Sequence, residues 1–211
     1  MATGADVVAD VRVIFGDTLS TKILDADYVR WINDAQLEIY RHTEFDVQTM
    51  PVFSSTVGVD TYPLPVDFLK FNSVTWSGKL LILTTEAQID LMNPNRKMNP
   101  PALGRPSWYY RENEMIIFYP PPMDVQPILI QYVPRPVMLG AITDDLSVPD
   151  EMVNDIKQFL LSRSYEVDDN TSAADSRMQN FKNMMFESRD QWKFPSDKSY
   201  PSVREIEDHY Y

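Results

Sequence analysis

The sequence predicts an α+β fold: an antiparallel helical bundle with an inserted, mostly antiparallel β domain and an extended C-terminal arm. Three observations carry this reading. Apolar residues recur at helical spacing up to residue 46 and again over 141–194, whereas residues 47–140 hold short runs of β-branched and aromatic residues. The 16 prolines, set against six glycines, cluster between positions 51 and 149, and the last two, Pro195 and Pro201, cut the tail off from the final helical pattern. The implied domains are a discontinuous bundle (1–46 and 141–194), a β insertion (47–140) and an arm (195–211).

Val7, Val8, Val11, Ile14 and Phe15 place a helix over 5–15, with Gly16 as its stop. Asp25 is the expected N-cap of a second helix to about residue 42, with Leu24 and Val29 as a hydrophobic staple and Tyr28, Ile32, Ala35 and Ile39 on one face. The runs VQTMPVF, FNSVTW, KLLIL, WYYRE, MIIFYP and ILIQYV then read as strands, with hairpins at Ser77-Gly78 and Asn113-Glu114. In the stretch DTYPLPVDFLKF, Pro63 and Pro65 hold Tyr62 and Leu64 extended and confine the segment to a sheet edge. It reads as a rigid scaffold anchored by Tyr62, Leu64 and Phe68, with Asp67 accepting from amides just beyond Pro65. Residues 84–92 suit a short helix followed by a long irregular loop.

Helical spacing returns after position 148. Pro149 suits a first turn, Asp150 and Glu151 match the positive end of a helix dipole, and Met152, Ile156, Phe159, Leu160 and Arg163 share a face. Ser172 and Asp175 have capping-box spacing, followed by a stripe of Ala174, Met178, Phe181, Met185 and Trp192. Met184 and Phe186 flank that stripe and widen it into a second apolar face. Met178, Phe181, Met184, Met185 and Phe186 are therefore the expected subunit interface. The tail carries Tyr200, Val203, Ile206, Tyr210 and Tyr211, more anchors than a solubilising end needs.

Composition narrows the function. A net charge of −12, from 31 acidic against 19 basic side chains, opposes wrapping of a phosphate backbone. The absence of cysteine removes disulfides, thiol nucleophiles and thiolate metal sites. The first 17 residues lack the basic start of a signal peptide, and no run is long and apolar enough to span a membrane. The two histidines, His42 and His209, lie far outside ligand spacing, and no phosphate loop or nucleophile elbow is present. The doublets Asp144-Asp145 and Asp168-Asp169 fit turns and caps better than acid–base work, and the cations Arg96, Lys97 and Arg105 followed by Trp108, Tyr109 and Tyr110 fit a core or interface better than a base-stacking platform. Neither a catalytic residue nor a cofactor is expected.

Several segments, in order, carry a resemblance: Asn33-Asp34-Ala35; Tyr62-Pro63-Leu64-Pro65-Val66-Asp67-Phe68; Gly104-Arg105-Pro106-Ser107-Trp108-Tyr109; Phe118-Tyr119-Pro120; Tyr132-Val133-Pro134-Arg135-Pro136; and Pro149-Asp150. Together they resemble the head-to-tail adaptor (connector) proteins of tailed bacteriophages over most of residues 28–190. The loop at 84–103 has no counterpart in that pattern. The resemblance implies a structural virion protein of the neck, assembled in the host cytoplasm as a homo-oligomeric ring, commonly of twelve subunits. It implies that the ring docks on the portal through the C-terminal segment, meets tail or nozzle proteins through the β domain, and surrounds a channel through which DNA passes without specific binding. The competing classes are another tail or baseplate component, a carboxylate-dependent enzyme, and a nucleic-acid-binding module.

Overall fold

The structure is a computed structural model that describes residues 2–96 and 102–193, with side chains described up to residue 188. It is α+β, and the chain divides into two compact units: residues up to Phe45 together with those from Pro136 onward, and Asp46–Arg135. The predicted arm at 195–211 lies outside the described residues, as do Lys97, His209 and the side chain of Trp192.

The first unit is helical. Helix α1 (Gly4–Phe15) starts at a capping box in which the Thr3 hydroxyl accepts from the Asp6 amide (3.2 Å) and the Asp6 carboxylate accepts from the Thr3 amide (3.0 Å). It buries Val7, Val8 and Val11 and ends at Gly16, whose φ of 83° closes the last turn in the left-handed region. The buried Asp17 carboxylate then accepts from the amides of Thr21, Lys22 and Ile23, fixing the connection to α2 (Asp25–Thr43). Burial alone would raise its pKa; these three amides outweigh that effect and hold it below the usual carboxylate value.

Helix α2 begins differently from expectation. Leu24 is its N-cap and offers no side-chain hydrogen bond, and at 65 % exposure it forms no staple. Asp25 sits one position inside, where its carboxylate accepts from Arg12 at 2.7 Å. A tertiary ion pair has displaced a local cap. Tyr28, Ile32, Ala35 and Ile39 are buried as their spacing predicts.

Pro149 is not in the first helical turn. It precedes a single 3₁₀ turn (Asp150–Met152), which leads into α4 (Val153–Val167). Helix α5 (Thr171–Lys193) starts one residue before the predicted cap: the Asn170 side chain, not Ser172, accepts the orphan amide of Ala173 at 3.2 Å. Helix α4 packs on α1, α2 and α5. Its Ser162 and Ser164 are fully buried, their hydroxyls donating to the carbonyls of Ala174 and Leu160.

The second unit stacks two sheets. Strands β1 (Gln48–Thr49), β4 (Phe68–Trp76), β5 (Lys79–Leu80) and β9 (Pro127–Pro134) run in the order β1-β9-β4-β5, with β2 (Phe53–Ser54) also paired to β9. Strands β3 (Thr61–Pro63), β6 (Ile82–Leu83), β7 (Trp108–Glu112) and β8 (Met115–Tyr119) run β3-β8-β7-β6. All pairs are antiparallel except β6 with β7. Both hairpins form as predicted: Ser77 and Gly78 have φ of 52° and 75°, and Asn113 has 55°.

Two predicted runs split. VQTMPVF breaks at Met50–Val52, where Pro51 has no amide to donate, and KLLIL divides at buried Leu81 so that its halves join different sheets. A shared core fills the space between the sheets, with Val74, Trp76, Ile128 and Ile130 from one and Ile116, Phe118 and Tyr109 from the other. On the outer face of the second sheet, Tyr110 and Ile117 pack on Ile89 of α3 (Glu86–Met92).

Gly4 reports on the join between α1 and the segment before α4. A Cβ built there meets the Ile142 carbonyl oxygen at 2.7 Å and a Leu139 methyl at 3.0 Å. Because the first obstacle is backbone, Gly4→Ala should destabilise the helical unit by about 1–3 kcal/mol, read as a lower denaturation midpoint at unchanged slope.

Candidate functional site

The helical unit carries an apolar groove of about 510 Å³ formed by α2, α4 and α5. Its floor is made by Leu37, Phe159, Met178, Phe181, Met185 and Phe186. Phe159 and Phe181 meet edge to face with ring centroids 5.1 Å apart and lock the base of the groove. Phe181 and Met185 are buried in this wall and Met178 is half-buried, whereas Phe186 is 56 % exposed at its lip. The rim is charged: Asp34, Glu38, Arg41, His42, Arg163 and Lys182. Glu38 is held by Arg41 (2.8 Å) and faces His42 (3.4 Å), and Arg163 bridges to Glu166 while lying over the Phe159 ring. Lys182 has no ion-pair partner among the described residues.

Four of the five α5 residues singled out from sequence therefore line one concave surface. The fifth, Met184, is half-buried outside it, its sulfur 4.0 Å from the Asn154 amide nitrogen. The six rim residues were not foreseen. Asp34 and Arg163 were visible within patterns read for other reasons, but nothing local connects Lys182 to Arg41.

The PLPVDF stretch closes one end of the sandwich. Tyr62 is at the edge of its sheet in β3, and Tyr62, Leu64 and Phe68 are buried in the shared core. The Tyr62 hydroxyl accepts from the Thr56 amide and donates to the Val59 carbonyl, each at 2.9 Å. Asp67 does not serve the amides after Pro65 as expected: the Phe68 amide goes to the Pro65 carbonyl, and the Asp67 carboxylate accepts from the Tyr132 hydroxyl at 3.2 Å. Its backbone carbonyl accepts from Arg135. Val66 at the tip is fully exposed.

The other charged clusters are engaged in structure. Asp144 accepts from the Gly140 and Ala141 amides, Asp168 pairs with Lys22, and Asp169 turns the chain with φ of 56°. Arg96 is only 13 % exposed, and its guanidinium donates to Glu86, Asp90 and the Tyr110 hydroxyl, tying the start of the long loop to α3. Among the described residues no acidic or histidine cluster is arranged to hold a metal ion, and no helix is long and apolar enough to cross a membrane.

One carboxylate is out of equilibrium with its surroundings. Asp155, in the first turn of α4, is 2 % exposed, and its Oδ2 is buried without a hydrogen-bond partner. Burial raises its pKa to about 6; the Ser188 hydroxyl opposes the rise and Glu187 adds to it. Both neighbours lie near the C-terminal end of α5.

The family model described as SU10 adaptor protein matches residues 2–199. That match spans nearly the whole sequence, and the chain belongs to the SU10 adaptor protein family, consistent with a phage head-to-tail adaptor. No curated protein matches the chain.

Two measurements probe these polar sites. Between the ordinary carboxylate value and pH 6 the folded chain holds a proton on Asp155 that the unfolded chain has released, so stability falls as pH rises through this window and stays lowered above it. Asp155→Asn should therefore gain on the order of 2 kcal/mol at pH 7 and flatten the stability profile between pH 4 and 6 in denaturation series. Arg96→Ala should cost the sandwich about 1.5–3 kcal/mol and speed proteolysis in the loop after α3, whereas Arg105→Ala at an exposed position changes stability by less than about 0.5 kcal/mol.

Proposed function

We propose that this chain forms the ring-shaped adaptor that joins the portal to the tail of a phage particle and lines the DNA exit channel. Membership of the adaptor family supports a structural role, and the observation that carries the ring is the α2–α4–α5 groove. A groove floored by Phe181, Met185 and exposed Phe186 is the kind of surface that a neighbouring subunit covers. On this reading Met178, Phe181, Met184, Met185 and Phe186 belong to the subunit interface, and the PLPVDF stretch, with Tyr62, Leu64, Pro65, Asp67 and Phe68, is a scaffold that keeps the sandwich rigid where tail or nozzle proteins bind. Part of the −12 charge faces the channel and repels the passing phosphates.

The segment 195–211 is the portal-binding arm, with Tyr200, Val203, Ile206, Tyr210 and Tyr211 as anchors. Each buried anchor contributes about 1.5–3 kcal/mol against an ordering cost of about 1–2 kcal/mol per fixed residue, so binding depends on many arms engaging together. Native mass measurement at rising concentration, with and without portal, should give one closed high oligomer. Deleting 196–211 should leave the melting temperature of the core nearly unchanged and abolish attachment to portal. A chain that stays monomeric with portal present overturns the ring, and a truncated chain that still attaches overturns the arm.

A further inference from the structure

A ring needs two unlike surfaces on each subunit, because a contact that pairs a patch with itself stops at a dimer. The groove is one such surface, and the helical unit carries a second on α1, which takes no part in the groove. Helices α1, α2 and α5 pack on different sides of α4: α1 meets it through Lys157 and Tyr165, α5 through Gln158, Phe159 and Ser162, and α1 and α5 make no substantial contact with each other. The exposed face of α1 shows Asp6, Ala9, Asp10, Val13 and Ile14, which fall on one stripe at 100° per residue. Val13 is 69 % and Ile14 52 % exposed, high values for branched aliphatic side chains on a short helix.

The chemistry of this stripe matches the groove. It is aliphatic at Ala9, Val13 and Ile14, and its two charged groups are both acidic: Asp10 is paired with Lys157 of α4 at 2.5 Å, and Asp6 closes the capping box with Thr3 and has no cation on it among the described residues. The groove is floored by aromatic and sulfur-containing side chains; on its rim Arg41 pairs with Glu38 and Arg163 with Glu166, which leaves Lys182 and Asp34 outside these ion pairs. Lys182 thus offers a cation with no ion pair of its own among the described residues beside an apolar floor, a place for an acidic group at the flank of an amphipathic helix.

We propose that the α2–α4–α5 groove of one copy receives the outward stripe of α1 from the next copy, with Val13 and Ile14 on the Phe181–Phe186 floor and Asp6 beside Lys182. Since stripe and groove are separate surfaces that share no residue, each subunit gives one and accepts one, and the contact repeats around a closed ring. This rests on the ring-forming reading above and names the surfaces that make it.

The absence of cysteine makes the test direct. Full-length V13C and F186C chains, mixed and treated with a short bifunctional maleimide in the presence of portal, should give a cross-linked heterodimer at ten or more times the yield of either variant alone. The double variant V13C/F186C should give a ladder of covalent multimers, and A9C with M178C covers a register shifted along the helix. A ring seen by native mass without a cross-link in either pair overturns this interface and leaves the ring standing. Cross-linking of F186C to V203C in preference to V13C assigns the groove to the C-terminal segment and also overturns it. A chain that stays monomeric with portal removes the ring and this interface together.

Discussion

Helix α4 is surrounded on three sides, and the helical unit is organised by that burial. A helix in this position keeps only a narrow polar strip, from exposed Asn154 through half-buried Lys157 and Gln158, for solvent, while Ile156, Phe159, Leu160 and Leu161 are buried against its neighbours. The small residues between them permit close approach. Ser162 and Ser164 sit fully buried because their hydroxyls reach carbonyls, one in α5 and one in the preceding turn of α4 itself. The α1–α2 connection, nailed down by Asp17, and the Arg12–Asp25 pair hold the two N-terminal helices against this central element. Asp155 is the exception: a favourable first-turn acid by its position in the helix, yet an unfavourable charge by its burial.

Much of this architecture was legible in the sequence where one residue type has one physical use. Gly16, Ser77-Gly78 and Asn113 marked positive-φ positions, and each has one or more residues in that region. The valine spacing of α1 and the aromatic stripe of α5 identified buried faces because period alone separates inside from outside. What failed were choices between neighbouring polar residues. Asn170 or Ser172, and Leu24 or Asp25, are one or two positions apart; a local cap to the Ala173 amide decided the first, and the tertiary bond from Arg12 to Asp25 the second. The division of KLLIL between two sheets was equally hidden, since both halves have the same composition and only the partners differ. The five α5 residues could be read as an apolar surplus, but the groove could not, because one of its other walls, α2, comes from residues more than a hundred positions away.

The PLPVDF stretch shows how a motif without reactive groups can still be tightly specified. Pro63 ends an edge strand, Pro65 accepts the amide that turns the chain, and Asp67 holds the tyrosine hydroxyl of a strand in the other sheet. Three aromatic or aliphatic anchors around these points enter one core. The spacing of prolines and anchors is set by where the chain crosses from one sheet to the other, and chemistry at a catalytic centre has no part in it.

Most strands that border the sandwich are short: β1, β2, β5 and β6 have two residues each, and β3 has three, the last of them Pro63. So few free amides and carbonyls in a row give an approaching strand almost nothing to template on. Copies of this chain accumulating together in a crowded cell therefore meet at these borders through side-chain surfaces that can be matched and parted, and backbone zippering is left to the one longer stretch of β4, Phe68–Ser73, that β5 does not cover.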